Sequence, residues 1–261
     1  AISVAYSDRF SRLIDVTLSH NGNLPAKILK RLRTLAWVTY WFFKYNTFHF
    51  YFGTSLLPRQ LDLPFYRLFR KKVIFHYLGK DVKLYKQSIE KYEISNMAYS
   101  CGTHEEALKA DSKKSRRLKY ETKYADLQFV CSPVYSEFVP NSILIPLAID
   151  LNEYTHTEKE ITDELVIMHA PTSRDNKGTS FIINAIDKLL SEGHRIKFLL
   201  CENIPHNVLK QKYKECDIFI DQVLGGYGTA AIEAMAIGRP TISYLRDVHF
   251  NELTIPGGIP I

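Results

Sequence analysis

An apolar run, Ile218-Phe219-Ile220, leads within a few residues into Gly225-Gly226-Tyr227-Gly228, and then into Thr229-Ala230-Ala231-Ile232-Glu233-Ala234-Met235-Ala236-Ile237. This spells a buried strand, a tight turn and a short helix, with Gly238 as the left-handed stop and Pro240 just beyond it. The glycines let the backbone turn sharply and approach a ligand closely. A helix N-terminus offers free N–H groups and a positive dipole end, which suits phosphate. Glu233 is the helix's only charge, placed one turn in, where a carboxylate can accept hydrogen bonds from paired sugar hydroxyls. Ala230, Ala231, Ala234 and Ala236 are expected to leave room for something to lie against the helix. The unit suggests a site for a phosphate attached to a sugar. A plain strand-to-helix turn with a solvated glutamate is the alternative, because a lone glycine turn is weak evidence.

The rest of the second half keeps the same beat. Strands are expected at Leu165–His169, Ile196–Cys201, Asp217–Asp221 and Thr241–Leu245. Helices are expected from Asn176 to about Ser191 and over Pro205–Tyr213. Such alternation means βαβ units and a parallel sheet. Arg174 and Lys177 stand in the loop that enters the first of these helices. That loop and the glycine turn both follow strands of one sheet, so they can face a common crevice. Two cations and helix-end amides there can neutralise a diphosphate and, if it departs, its developing charge. The alternative is a helix-entry loop with solvated charges. No Asp-x-Asp pair and no His/Asp cluster with metal spacing occurs, so no metal or other cofactor is expected.

The first half alternates less regularly. Ala1–Tyr6 and Ile14–Leu18 read as strands, Asn21–Pro25 as a loop and Ala26–Tyr45 as a helix. Ile28, Leu29, Leu32, Leu35, Ala36 and Phe43 form its expected core face. A second stripe, Lys30, Arg33, Trp37, Trp41 and Lys44, reads either as a solvated edge or as a membrane-surface face. Phe48–Phe52 and Lys72–Tyr77 read as strands, with a short helix at Phe65–Phe69 between them. Gly79-Lys80-Asp81 follows at a strand's carboxyl end, so His76, Lys80 and Asp81 are candidates to face a cleft. His76 reads equally well as a structural histidine. Thr103 and Glu106 form a capping box for a helix over His104–Tyr124. Its second half is strongly basic, either a solvated face or a contact for anionic lipid. Asp126–Cys131, a short helix at Pro133–Val139 and a strand at Ile143–Ile145 complete this half.

The polar, weakly patterned stretch at 148–163 is the expected boundary between a domain at 1–150 and another at 151–261. The net charge of +6 and pI near 9.0 favour anionic partners. The cations are dispersed and carry no recognition motif, which speaks against nucleic acid. Cys101, Cys131, Cys201 and Cys216 are far apart and read as free thiols in a reducing compartment. No signal peptide is visible and no apolar run nears the roughly 20 residues of a membrane span. The expected setting is cytoplasmic, with a peripheral place at the inner face of a membrane as an extension. The chain opens on Ala1 without a methionine, which leaves a segment upstream open.

Several of these motifs in order carry a resemblance: Arg174, Lys177 and Gly178; Asp217-Ile218-Phe219-Ile220; and Gly226-Tyr227-Gly228 with Glu233-Ala234-Met235-Ala236, Gly238 and Pro240. The set resembles the carboxyl-terminal half of a GT-B glycosyltransferase, and most nearly the retaining, family-4-like group. The amino-terminal half is similar to that family's acceptor domain in a looser way. The resemblance implies two Rossmann-like domains facing across a cleft, and a metal-independent transfer of a sugar from a nucleotide-sugar donor to a hydroxyl acceptor, as in polysaccharide biosynthesis. It implies that Arg174 and Lys177 hold the diphosphate, supported by Gly226, Tyr227, Gly228 and Thr229, and that Glu233 binds the ribose. Ile204-Pro205-His206 would lie near the base, and His76 would reach the donor sugar. No protein nucleophile is assigned. The family often has a second glutamate eight residues before Glu233, where this chain has Gly225. The family's usual first strand and glycine-rich loop, and its closing helices after Ile261, are absent from the sequence. A GT-B-like binder of nucleotide or carbohydrate without turnover is the alternative.

Overall fold

The structure, a computed structural model, describes residues 2–3, 16–17, 24–160, 162–245, 254–255 and 259–260, with side chains described at 33, 35–160 and 162–245. Of the two expected opening strands, β1 (Ile2–Ser3) and β2 (Val16–Thr17) pair in parallel. The remaining residues of those two strands lie outside the described ones, as do the side chains of Ile28, Leu29, Lys30 and Leu32.

The first large sheet follows α1 (Leu24–Lys44). It holds β3 (Thr47–Tyr51), β4 (Lys72–Tyr77), β5 (Leu127–Val130) and β6 (Ile143–Leu144) in that order, all parallel. Strand alternation sends Phe48, Phe50, Val73, Phe75 and Tyr77 to one face. There they pack on Leu63 and Tyr66 of α2 (Leu63–Leu68) and on Leu118. Two helices without a legible period, α3 (Tyr85–Lys91) and α4 (Met97–Ser100), lead to α5 (His104–Tyr124). The capping box of α5 forms in full: Thr103 Oγ1 accepts from the Glu106 N–H and Glu106 accepts from the Thr103 N–H. A short turn, α6 (Pro133–Ser136), joins β5 to β6.

The rotation of α1 differs from the expected one. Val38 and Trp41 are buried, whereas Leu35, Ala36 and Phe43 are exposed. The sequence offers two apolar stripes, and tertiary packing chooses between them. Phe42 meets Tyr66 at 5.3 Å between ring centroids and Phe48 at 6.2 Å, which turns Phe43 outward.

The second large sheet is ordered β10-β9-β7-β8, again all parallel. Along the chain come β7 (Leu165–His169), α7 (Arg174–Lys177), α8 (Thr179–Ser191), β8 (Ile196–Leu200), α9 (His206–Lys212), β9 (Ile218–Gln222), α10 (Thr229–Ala236) and β10 (Thr241–Ser243). The single helix expected from Asn176 is two, because Gly178 takes φ 74° between them. A Cβ there would lie 2.6 Å from Val223 and 2.9 Å from Leu224, so only glycine fits. β8 lies on one side of β7 and β9 on the other. The strand order therefore reverses between β7 and β9, and a crevice opens at their carboxyl ends. The alanines of α10 do not leave a berth as expected. Ala231 and Ala234 are buried, Ala234 against Met168, Tyr213 and Phe219, so small side chains bring the helix close to the sheet.

Loops from the two sheets touch. The Asn96 N–H donates to the Leu224 carbonyl at 2.9 Å, and the Tyr99 ring meets Phe181 edge-on at 5.4 Å. The four cysteines are free thiols. Among the described residues no helix is long and apolar enough to cross a membrane.

Candidate functional site

The crevice between β7 and β9 is built by two loops. The first begins at His169, fully buried at the end of β7. Its Nδ1 lies 2.7 Å from the Ile220 carbonyl, which only accepts, so the proton sits on Nδ1. Nε2 then accepts from the Thr179 hydroxyl at 2.9 Å. One neutral ring thus ties β7 to β9 and to the first residue of α8, and burial foremost holds its pKa below the ordinary value. This fixes where α7 sits, and with it Arg174 and Lys177.

The two cations go to different places. Lys177 is mostly buried, and its ammonium pairs with Asp221 at 2.5 Å. Asp221, fully buried near the end of β9, also accepts from the Gly228 N–H at 2.6 Å. The Lys177 ammonium therefore stands at the mouth of α10, 3.2 Å from where a side chain on Gly228 would start. Arg174 instead forms a two-pronged pair with Glu202, at 2.8 and 2.6 Å, and is half-exposed.

The glycine turn is held by polar side chains on either side. The Gly226 carbonyl accepts from Gln222 Nε2 and from Ser243 Oγ, both at 2.7 Å, and Gly226 itself takes φ 53°. Tyr227 is half-buried; burial first, and the neighbouring Cys131 thiol second, push its hydroxyl above the ordinary value. Cys131 follows β5, so this tyrosine reaches the carboxyl end of the other sheet. Thr229 opens α10 and is exposed.

Glu233 is buried on α10, and its oxygens are occupied. Oε1 lies 2.8 Å from His206 Nε2, and Oε2 accepts from the Tyr213 hydroxyl at 3.2 Å. Tyr154 lies near this carboxylate; burial, then Glu233, raise its pKa. His206 belongs to the segment expected near a base, so structure joins two features that are 27 residues apart in the chain.

From the other sheet, Asp81 is spent on its own loop, accepting from the Gly79 N–H at 2.6 Å and the Leu78 N–H at 3.2 Å. Burial outweighs these bonds and raises its pKa. Lys80 is exposed, with Ser100's carbonyl 3.5 Å away. His76 lies on the sheet face opposite the aromatic core. It stacks on His49 at 5.6 Å and meets Phe129 at 5.8 Å, and neither of its buried ring nitrogens has a hydrogen-bond partner. Burial foremost, then His49, lower its pKa.

Sequence reasoning missed Asp221, Tyr213, Tyr154, Lys83 and Asn96. Lys83 is buried and donates to Asn96 Oδ1 at 3.2 Å. Its ammonium lies 3.6 Å from where a side chain on Gly225 would begin. A lysine from the first half thus stands beside the position at which the resembled family often carries a glutamate.

No protein-family model matches the chain. No curated protein matches it in sequence. Among solved structures, Anabaena HepE in complex with UDP matches over 92% of this chain and 71% of that chain, with 14% identity and a TM-score of 0.52. The chain shares that fold. At this identity the likeness establishes a parallel, Rossmann-like α/β architecture of the GT-B-like kind, and the chemistry has to be argued from the side chains above.

Proposed function

We propose that this chain binds a nucleotide sugar in the β7–β9 crevice and transfers its sugar to a hydroxyl acceptor, with retention and without a metal ion. The observation that carries the reading is the Lys177 ammonium at the mouth of α10, beside the glycine turn. An ammonium has three N–H donors. Asp221 takes one and fixes the group in place, leaving others for a phosphate oxygen. The first N–H groups of α10 have no partner within the helix and add partial positive charge on the same side. Arg174 supplies a second cation when it exchanges Glu202 for the diphosphate. As the sugar departs, these donors meet the growing charge on the leaving diphosphate. The acceptor hydroxyl attacks from the side the leaving group vacates and passes its proton to the departing diphosphate oxygen, so no protein nucleophile is needed. Glu233 faces the ribose, with His206 between it and the base, and His76, Lys80, Asp81 and Lys83 border the sugar and acceptor side. HepE, of the same fold, was solved with UDP, which makes UDP the first ligand to test. In this reading the two sheets belong to two domains, at 1–150 and 151–261, facing across the cleft.

The test is calorimetric binding of UDP and uridine to the wild type and to a Lys177→Met/Asp221→Asn double variant. Removing both charges avoids stranding either one in the interior. UDP affinity is expected to fall tenfold or more, with uridine affinity unchanged. Equal losses for the two ligands would sink the diphosphate assignment. Gly225 and the occupied oxygens of Glu233 favour a second reading, a nucleotide binder without turnover. Slow donor hydrolysis by the wild type supports the transferase. Tight UDP binding with no hydrolysis and no transfer to any hydroxyl supports the binder.

A further inference from the structure

The loop after β3 is unusual in its backbone. Phe52, Arg59 and Gln60 take φ of 55°, 56° and 59°, in the left-handed region that side chains rarely adopt. Strain of this kind persists only where surrounding contacts over-determine it. Here Gln60 is buried, donates to the Gly53 carbonyl at 3.0 Å and bonds to the buried Glu121. Asp62 accepts from the Leu56 N–H at 3.0 Å and from the Tyr66 hydroxyl at 2.9 Å. Arg117 bonds to the Asp81 carbonyl and holds Glu121 at 3.3 Å. The loop is rigid by construction, and what it presents is fixed.

It presents one wall of a groove of about 1500 Å³, closed on its other sides by α1 and α5. Leu35, Leu56, Leu57, Leu61 and Tyr120 give the groove its apolar lining. Arg59, Lys113 and Arg116 stand on its rim, exposed and without an ion pair among the described residues. No aspartate or glutamate lines it. On α1 and at α2, Phe43 (62% exposed), Phe65, Leu68 (72%) and Phe69 are exposed as well, and the Phe43 and Phe69 rings meet edge-on at 5.9 Å. Exposed apolar surface rimmed by charge marks binding surfaces. An all-cationic rim around an apolar trough matches a molecule with an anionic head and a hydrocarbon tail. Aromatic side chains beside basic ones match the interface of a bilayer that supplies such molecules.

We propose that this groove seats a phosphate-bearing membrane lipid, with its headgroup against Arg59, Lys113 and Arg116 and its chain along Leu56, Leu57 and Leu61. The Phe43–Phe69 surface rests in the headgroup layer of the same membrane. The site uses no residue assigned to the nucleotide, so the two stand or fall separately.

The experiment is co-sedimentation with phosphatidylcholine vesicles, pure or mixed with phosphatidylglycerol in equal parts. The wild type is expected to partition onto the mixed vesicles. A cation near an anionic surface contributes about fivefold. Arg59→Gln with Lys113→Gln and Arg116→Gln is therefore expected to lower partitioning about 100-fold. A control with the same loss of charge elsewhere, Lys188→Gln with Lys197→Gln and Lys214→Gln, is expected to lower it less than about fivefold. An equal loss in the control overturns the site in favour of net charge alone. So does equal binding to pure phosphatidylcholine, or no binding to either vesicle. Leu57→Asp with Leu61→Asp is expected to abolish the remaining partitioning. If that variant instead splits a dimer seen without vesicles, the groove is a face between two copies and the proposal fails. Arg59→Gly guards against misfolding, since glycine relieves the left-handed backbone. It is expected to hold or raise the melting temperature while partitioning falls about fivefold, and unchanged partitioning overturns the headgroup assignment.

Discussion

The two large sheets are built alike and treat their charges differently. Each places an aspartate just before a strand, where it accepts from an N–H of the neighbouring strand and from a lysine: Asp126 with Val73 and Lys72, and Asp217 with Val166 and Lys159. Beyond this shared device they part. In the second sheet's half, Lys177 has Asp221, Arg174 has Glu202, and even the buried Arg239 rests on the Tyr213 carbonyl at 3.0 Å. In the first half, Arg59, Lys113 and Arg116 have no such partner among the described residues. The two strand-end histidines follow the same division: His169 uses both ring nitrogens, and His76 uses neither. The second half sets these cations and its histidine in place with partners before a ligand arrives, and in the proposed reading Lys177 still has N–H groups to spare. The first half leaves these three cations and this histidine open to contacts from outside.

The sharpest way to break this comparison is to ask whether the halves are separate folding units. Phe75 and Phe219 are each fully buried, in different clusters. Each change to alanine is expected to cost about 3–5 kcal/mol. If the halves are domains, calorimetry shows two transitions, with Phe75→Ala lowering one and Phe219→Ala the other. A single transition shifted equally by both variants would rule out a boundary at 148–163.

Much of this fold was legible, and the reasons are local. Lys72–Tyr77 and Leu165–His169 are apolar runs of strand length with polar ends, and the structure gives both with the same bounds. Thr103 and Glu106 carry their capping geometry in their spacing. The rotation of α1 was not legible, because two stripes compete and the winner depends on Tyr66 and Phe48, which are distant in sequence. The place of Lys177 could be guessed from its loop, but not the partner that pins it. Asp221 reads as the polar end of an apolar strand, and a carboxylate directly after Ile218-Phe219-Ile220 was the available signal of a buried anion. Tyr213 and Tyr154 gave none, since only the packing of α10 brings them to Glu233.

The histidines sharpen the contrast at a smaller scale. Both have pKa values lowered by burial, so between the folded and unfolded values the unfolded chain binds more protons. Stability from each is complete above about pH 6.5 and is lost as the pH falls through that range. At neutral pH the two differ. His169→Phe strands the Ile220 carbonyl and the Thr179 hydroxyl and is expected to cost about 2–3 kcal/mol. His76→Phe removes no hydrogen bond and is expected to cost under about 1 kcal/mol while flattening the decline between about pH 7 and pH 5.5. Urea midpoints at the two pH values measure this. A large neutral-pH loss in His76→Phe would show a partner for that ring.

The shared aspartates give the smallest effect and the closest match between the halves. In both, burial pushes the pKa up, but the lysine and the backbone N–H outweigh it and the value ends below the ordinary one. A carboxylate lowered in this way stabilises the fold above about pH 4 and loses that contribution as the pH falls further. Asparagine keeps an acceptor for the strand N–H and removes the charge, so each substitution isolates the ion pair. The Asp217 carboxylate is 9% exposed and that of Asp126 is 34% exposed, so solvent screens the second more. Asp217→Asn is expected to cost about 1 kcal/mol at neutral pH and Asp126→Asn about half that. Both differences should shrink as the pH falls below about 4 and the native carboxylates take up protons. A larger loss for Asp126 would mean that the first sheet depends on its charges as much as the second, and the contrast between the two sheets would have to be redrawn.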